Sequence, residues 1–125
     1  MGVIVTKQTS TGGTSVSGAG AYTQLEKLAM EMEMEFKAAK LYNYKEYSYG
    51  GSGAFPQLVL FEIWENETKM TRLFRKDFQY GDGLFPQLTR TDLLRDSDNE
   101  TLTRLYSYNT LGQLISIETS GSGPY

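Results

Sequence analysis

One phrase recurs three times along the chain and restricts what it can fold into: an aromatic residue, any residue, a tyrosine, a short turn, then a leucine. The copies are Tyr47-Ser48-Tyr49 leading to Leu58, Phe78-Gln79-Tyr80 leading to Leu84 and Leu88, and Tyr106-Ser107-Tyr108 leading to Leu114. The first two copies also share Phe-Pro-Gln-Leu, at 55–58 and 85–88. The last two are preceded by related segments, Asn66-Glu67-Thr68-Lys69-Met70-Thr71-Arg72-Leu73 and Asn99-Glu100-Thr101-Leu102-Thr103-Arg104-Leu105, which match with one residue deleted. A period of about thirty residues signals stacked supersecondary units. The unit here predicts a β-hairpin, and a chain of repeated hairpins is a building part more readily than an enzyme.

Strands are expected at 44–49, 58–64, 68–80, 84–94, 101–108 and 113–118, where Tyr, Phe, Thr, Ile and Val dominate. The turns between them, at 50–53, 65–67, 81–83, 96–99 and 109–112, each hold Gly, Asn or Asp, as a tight reversal requires. Short connections make sequential strands antiparallel neighbours. Ahead of them, Thr23-Gln24-Leu25-Glu26 fits a capping box. Leu25, Leu28, Ala29, Met32, Phe36 and Ala39 then form one apolar stripe at helical spacing, with Lys27/Glu31 and Glu33/Lys37 spaced as i, i+4 pairs opposite it. Met30 to Phe36 also alternates like a strand. The absence of β-branched residues between Gln24 and Leu41 decides for a helix. The expected fold class is α+β: one N-terminal helix packed on an antiparallel β-meander of about six strands built from repeated hairpins. A Gly/Ser/Thr-rich arm over 1–20 and a tail over 120–125 flank this 21–119 domain, and both are expected to be flexible.

The segment Leu58-Val59-Leu60-Phe61-Glu62-Ile63-Trp64 is apolar on both faces. A helix on one side and a neighbouring subunit on the other would account for it.

Composition removes several kinds of chemistry. With 125 residues the chain is one domain in length, and it contains neither cysteine nor histidine. The commonest general base, the commonest transition-metal ligands and the Ser-His and Cys-His nucleophile pairs are therefore missing together. A net charge of −3, from 12 basic and 15 acidic residues, gives no general attraction to nucleic acid or anionic membrane. No apolar run reaches membrane-span length and the first residues lack a signal-peptide pattern, so a soluble protein is expected. Asp96-Ser97-Asp98-Asn99-Glu100 has alternate oxygen ligands but lacks the glycine and distal Glu of a calcium loop, and it reads as a solvated turn. Asp77, Asp82 and Asp92 are candidate paired carboxylates, but repeated turns explain Asp82 without catalysis. The nine tyrosines and six phenylalanines suit either cross-strand pairing or an aromatic binding surface.

Two resemblances follow from these residues. Tyr106-Ser107-Tyr108-Asn109-Thr110-Leu111-Gly112-Gln113-Leu114 resembles the YD repeat, with Asn109 where that family carries Asp. More of the chain is similar to the small virion structural proteins of tailed bacteriophages: a Gly/Ser-rich arm, a capped helix, and β-hairpins with Tyr-x-Tyr turns. This resemblance implies a non-enzymatic subunit of the head, neck, tail or baseplate, made in the bacterial host cytoplasm. It implies a homo-oligomer or ring among other virion proteins, without direct nucleic-acid or membrane contact. No catalytic, cofactor or metal residue is assigned. The assembly interface it suggests comprises Val3, Val5, Leu25, Met32, Phe36, Phe61 and Trp64. The alternative is a small β-module that binds a host-surface glycan or other ligand through exposed aromatics.

Overall fold

The Thr23 hydroxyl accepts from the Glu26 amide at 3.1 Å, and the Glu26 carboxylate accepts from the Thr23 amide at 2.8 Å. This capping box satisfies two of the amides that a helix start leaves unpaired. It opens helix α1, Gln24–Tyr42. The structure is a computed structural model describing residues 22–123 and the backbone of residues 5–8.

Six strands follow the helix: β2 Tyr44–Gly50, β3 Gln57–Trp64, β4 Arg72–Tyr80, β5 Leu88–Arg95, β6 Glu100–Tyr108 and β7 Leu114–Gly121. They pair antiparallel in sequence order, so the expected α+β meander is the observed fold. A seventh strand, β1 Val5–Gln8, pairs parallel with β7, from Val5 opposite Ser116 to Gln8 opposite Thr119. The arm expected to be flexible over 1–20 therefore contains a strand. Val5 and Thr6 are β-branched, and β1 satisfies backbone groups that β7 would otherwise present at an open edge. Val3 and the rest of that arm lie outside the described residues, as do residues 124–125 of the tail.

Two strands begin later than expected, for local reasons. Before β4, Lys69 takes a positive φ of 56° and the Asn66 side chain accepts from the Thr68 amide, so 65–71 is a turn. Before β5, Pro86 removes a ladder donor, and pairing starts at Leu88.

The stripe read from the sequence is the buried face of α1. Leu25, Ala29, Met32 and Ala39 are buried, and Leu28 and Phe36 pack against them. They meet one face of the sheet at Phe61, Ile63, Phe74, Leu93 and Leu102. Phe36 sits edge-on to Phe61 at 5.7 Å and to Phe74 at 5.6 Å, arrangements favoured by the ring quadrupole. Lys76 lies on this face between the Phe36 and Phe78 rings, at 5.6 and 5.4 Å, and burial lowers its pKa.

Three acidic residues of α1 run to the sheet instead of along the helix. Glu31 and Glu35 pair with Arg95, and Glu33 pairs with Arg104. The i, i+4 lysines expected as partners offer only a flexible surface contact, whereas Arg104 presents a bidentate fork to Glu33. The opposite sheet face mixes leucines (Leu60, Leu94 and Leu105) with charges that pair along or across strands: Arg75 with Asp77, Arg90 with Asp92, and Arg72 with Glu62 and Asp96.

Candidate functional site

The repeated phrase builds the same joint three times. A register shift falls between Ser48 and Tyr49, between Gln79 and Tyr80, and between Ser107 and Tyr108. After each shift the tyrosine pairs with the leucine of its own copy: Tyr49 with Leu58, Tyr80 with Leu88, Tyr108 with Leu114. The tyrosine also reaches back one copy. The Tyr80 hydroxyl donates to the Leu58 carbonyl at 2.7 Å, and the Tyr108 hydroxyl donates to the Leu88 carbonyl at 2.5 Å. A ladder of tyrosines thus binds each hairpin to its predecessor.

Burial raises the pKa of both hydroxyls above the ordinary 10.0, because the charged phenolate is disfavoured there. Tyr80→Phe and Tyr108→Phe are each expected to cost about 1 kcal/mol of stability, measured by urea unfolding at pH 7. The contribution is complete below pH 10 and is lost as the pH rises through the raised folded values. The double variant should therefore lose stability less steeply above pH 10. An unchanged alkaline profile would argue against the ladder.

The turns at this end stack on one another. The Ala54 amide donates to the Leu84 carbonyl at 2.7 Å, and Gln87 Nε2 donates to the Gly112 carbonyl at 2.6 Å. A Cβ on Gly53 would lie 2.6 Å from Pro86 Cδ, so glycine is needed for the first two turns to approach. In the third turn the Asn109 side-chain oxygen accepts from the amides of Leu111 and Gln113, both at 2.9 Å. An Asp oxygen would serve equally, which gives a physical reason for the residue found there in the YD repeat. Phe55 and Phe85 lie 6.1 Å apart on the stacked turns, 66% and 71% exposed; Leu84, next to Phe85 in the second turn, and Leu111, in the third, are exposed as well. Single exposed apolar residues need no explanation; a contiguous strip of them is a candidate contact surface.

The second open feature is β2, which lies at the edge of the sheet. Tyr42, Tyr44, Tyr47 and Tyr49 are exposed along and just before it.

Most of the interface residues suggested by the sequence are not free surface in this chain. Leu25, Met32 and Phe61 are buried in its own core, and Phe36 is half-buried between Phe61 and Phe74. Their apolar faces are satisfied by α1 and the sheet, and that internal packing is why they read as sticky. Trp64 is half-buried, its Nε1 buried without a hydrogen-bond partner and its ring 5.9 Å from the Arg72 guanidinium. Val5 is in β1, against Ser116. The exposed Tyr49, Phe55, Leu84 and Phe85 were not among them. Proline at 56 and 86 is the signal that Phe-Pro-Gln-Leu belongs to a turn, which leaves its phenylalanine outside the ladder.

The carboxylate clusters are accounted for by arginine. Asp98 accepts two bonds from Arg95, which holds its carboxyl below the usual range, and Asp96 accepts from Arg72. Asp77 and Asp92 do face each other across β4 and β5, but each is clamped by the arginine two residues before it, and Asp92 also accepts from Thr103. Asp82 lies in the exposed 81–87 turn. Among the described residues no group of three or more acidic side chains is placed to hold a metal. A groove of about 560 Å³ opens between the end of α1 and the 71–74 and 95–97 segments. Its charged groups are already paired, Glu35 with Arg95 and Arg72 with Asp96. Among the described residues, no helix is long and apolar enough to cross a membrane. Comparison with protein-family models, curated proteins and solved structures finds no match for this chain.

Proposed function

We propose that this chain is a non-enzymatic structural subunit that assembles through protein–protein contacts. The observation that carries this reading is the open β2 edge, a row of backbone groups and exposed tyrosines that another strand can complete. The stacked apolar turns supply a second contact surface at the same end. The resemblance to small virion proteins of tailed bacteriophages supplies the setting: a component of head, neck, tail or baseplate, put together in the host cytoplasm. The test is sedimentation of the purified protein together with mass spectrometry of purified particles. The expected result is an oligomer and presence in the particle; a monodisperse monomer absent from every particle overturns the reading.

The exposed tyrosines before and along β2 also favour a second reading, a β-module that binds glycans by stacking. Trp64, the strongest stacking group in the chain, is a poor platform because Arg72 covers its ring. Glycan-array binding that is lost in Tyr47→Ala would favour this reading over assembly, and silence on a broad array would remove it.

A further inference from the structure

The joints between hairpins define what the open edge fits. In the β3–β4 joint Leu60 faces Asp77, and in the β5–β6 joint Arg90 faces Leu105. Leu60 stands two residues after Leu58, and Asp77 stands three before Tyr80. Arg90 likewise stands two after Leu88, and Leu105 three before Tyr108. In repeat coordinates the two registers are identical, and both carry the same tyrosine-to-leucine hydrogen bond. One half of a third such joint stands at each end of the series. β2 presents Tyr49, 62% exposed, with no partner for its hydroxyl among the described residues, and β7 presents Leu114 with no following copy.

From this we infer that a second copy of this chain adds its β2 to β7, antiparallel, with Glu46 of the second copy opposite Ser116. Tyr49 of that copy then donates to the Leu114 carbonyl. The inference rests on reading the chain as an assembly subunit, and it names the partner and the register. Extended one residue past the last ladder pairs, Leu60/Asp77 and Arg90/Leu105, the same register would set a β-branched residue against an aromatic: Val59 with Phe78, Thr89 with Tyr106, and Ile115 with Tyr47 of the second copy. Ile115 and Tyr47 are 42% and 48% exposed in the single chain, and the joint covers both. In the single chain β1 occupies this edge through four parallel pairs, beginning at Ser116. The incoming β2 is seven residues long and pairs antiparallel, the slightly stronger arrangement per residue, and the inferred contact requires it to displace β1 from β7. The contact joins two different edges, so its repetition closes into a ring or continues as a helix.

The absence of native cysteine makes the register directly testable. Full-length Glu46→Cys and Ser116→Cys proteins are mixed and oxidised. A disulfide-linked heterodimer is expected, because facing residues in a ladder lie within disulfide reach. Ser48→Cys mixed with Ser116→Cys is displaced by two residues and should not link. Thr6→Pro, introduced into the Ser116→Cys chain to weaken β1, should raise the heterodimer yield several-fold. Equal linkage of the displaced pair, or a fall in yield with Thr6→Pro, overturns the inference. So does failure of the 46/116 pair to link while the unmodified protein still forms oligomers, a result that leaves the assembly reading standing. Failure to link by a protein that is also a monodisperse monomer overturns both.

Discussion

Phe61→Ala is expected to lower the free energy of unfolding by about 4 kcal/mol, a large part of the roughly 5–15 kcal/mol that holds a domain together. Phe61 is 3% exposed, lies edge-on to Phe36 at 5.7 Å and stacks on Tyr47 at 4.7 Å. Its removal leaves a cavity bounded by a helix and a sheet, neither of which can collapse into it freely, and it ends both ring contacts. Urea unfolding measures the loss, and the drop should be the same at low and high protein concentration because the contacts lie within one chain. Phe61→Leu, which keeps most of the volume, should recover at least half. A loss below about 1 kcal/mol, or one that vanishes at low concentration, would return Phe61 to an interface role.

Arg95→Ala has the next largest expected effect, about 3 kcal/mol. The residue is 8% exposed and joins three carboxylates: Glu31 and Glu35 on the helix at 3.1 and 2.8 Å, and Asp98 in the β5–β6 turn at 2.6 Å. It is one of two arginines, with Arg104, that tie the sheet to the helix through ion pairs. The loss stays at the low end for a broken buried network because the three carboxylates are about half exposed and regain water when the guanidinium is gone. Arg95→Met should cost clearly less than Arg95→Ala, since it fills the space along the arginine stem. Asp98 supplies a signature in acid. Its pKa is lowered chiefly by the Arg95 hydrogen bond, so its contribution is complete above the ordinary value of 3.8 and is lost as the pH falls through the lowered one. Denaturation curves taken across that range should lose this acid step in either variant. An acid step that persists unchanged would show that Arg95 does not govern Asp98.

The fold was legible in the chain because its signals were local and repeated. Thr23 and Glu26 announced the helix start, the stripe from Leu25 to Ala39 named its buried face, and three copies of one turn set the hairpins. β1 was not legible, since four residues among Gly, Ser and Thr carry little periodicity and their pairing depends on an edge more than a hundred residues away. Most of the candidate interface residues that are described turn out to pack within the chain, for a related reason. Apolar residues such as Met32 and Phe61 look alike in sequence whether they meet their own sheet or a neighbour, and only burial separates the two cases. The partners of Glu31 and Glu33 were hidden in the same way, because helical spacing reveals neighbours on the helix and not arginines that folding brings alongside.

Among the described residues, three of the four register shifts fall at the same end of the sheet, beside Tyr49, Tyr80 and Tyr108; the fourth lies between Ile63 and Trp64. A bulge bends its strand and sharpens the local twist, so three in series make this sheet coil more than plain pairing would. Fibrillar stacking demands the reverse, flat strands that repeat without accumulating rotation. Where such shifts bend the strand, whatever adds to the open β2 edge must follow the bend.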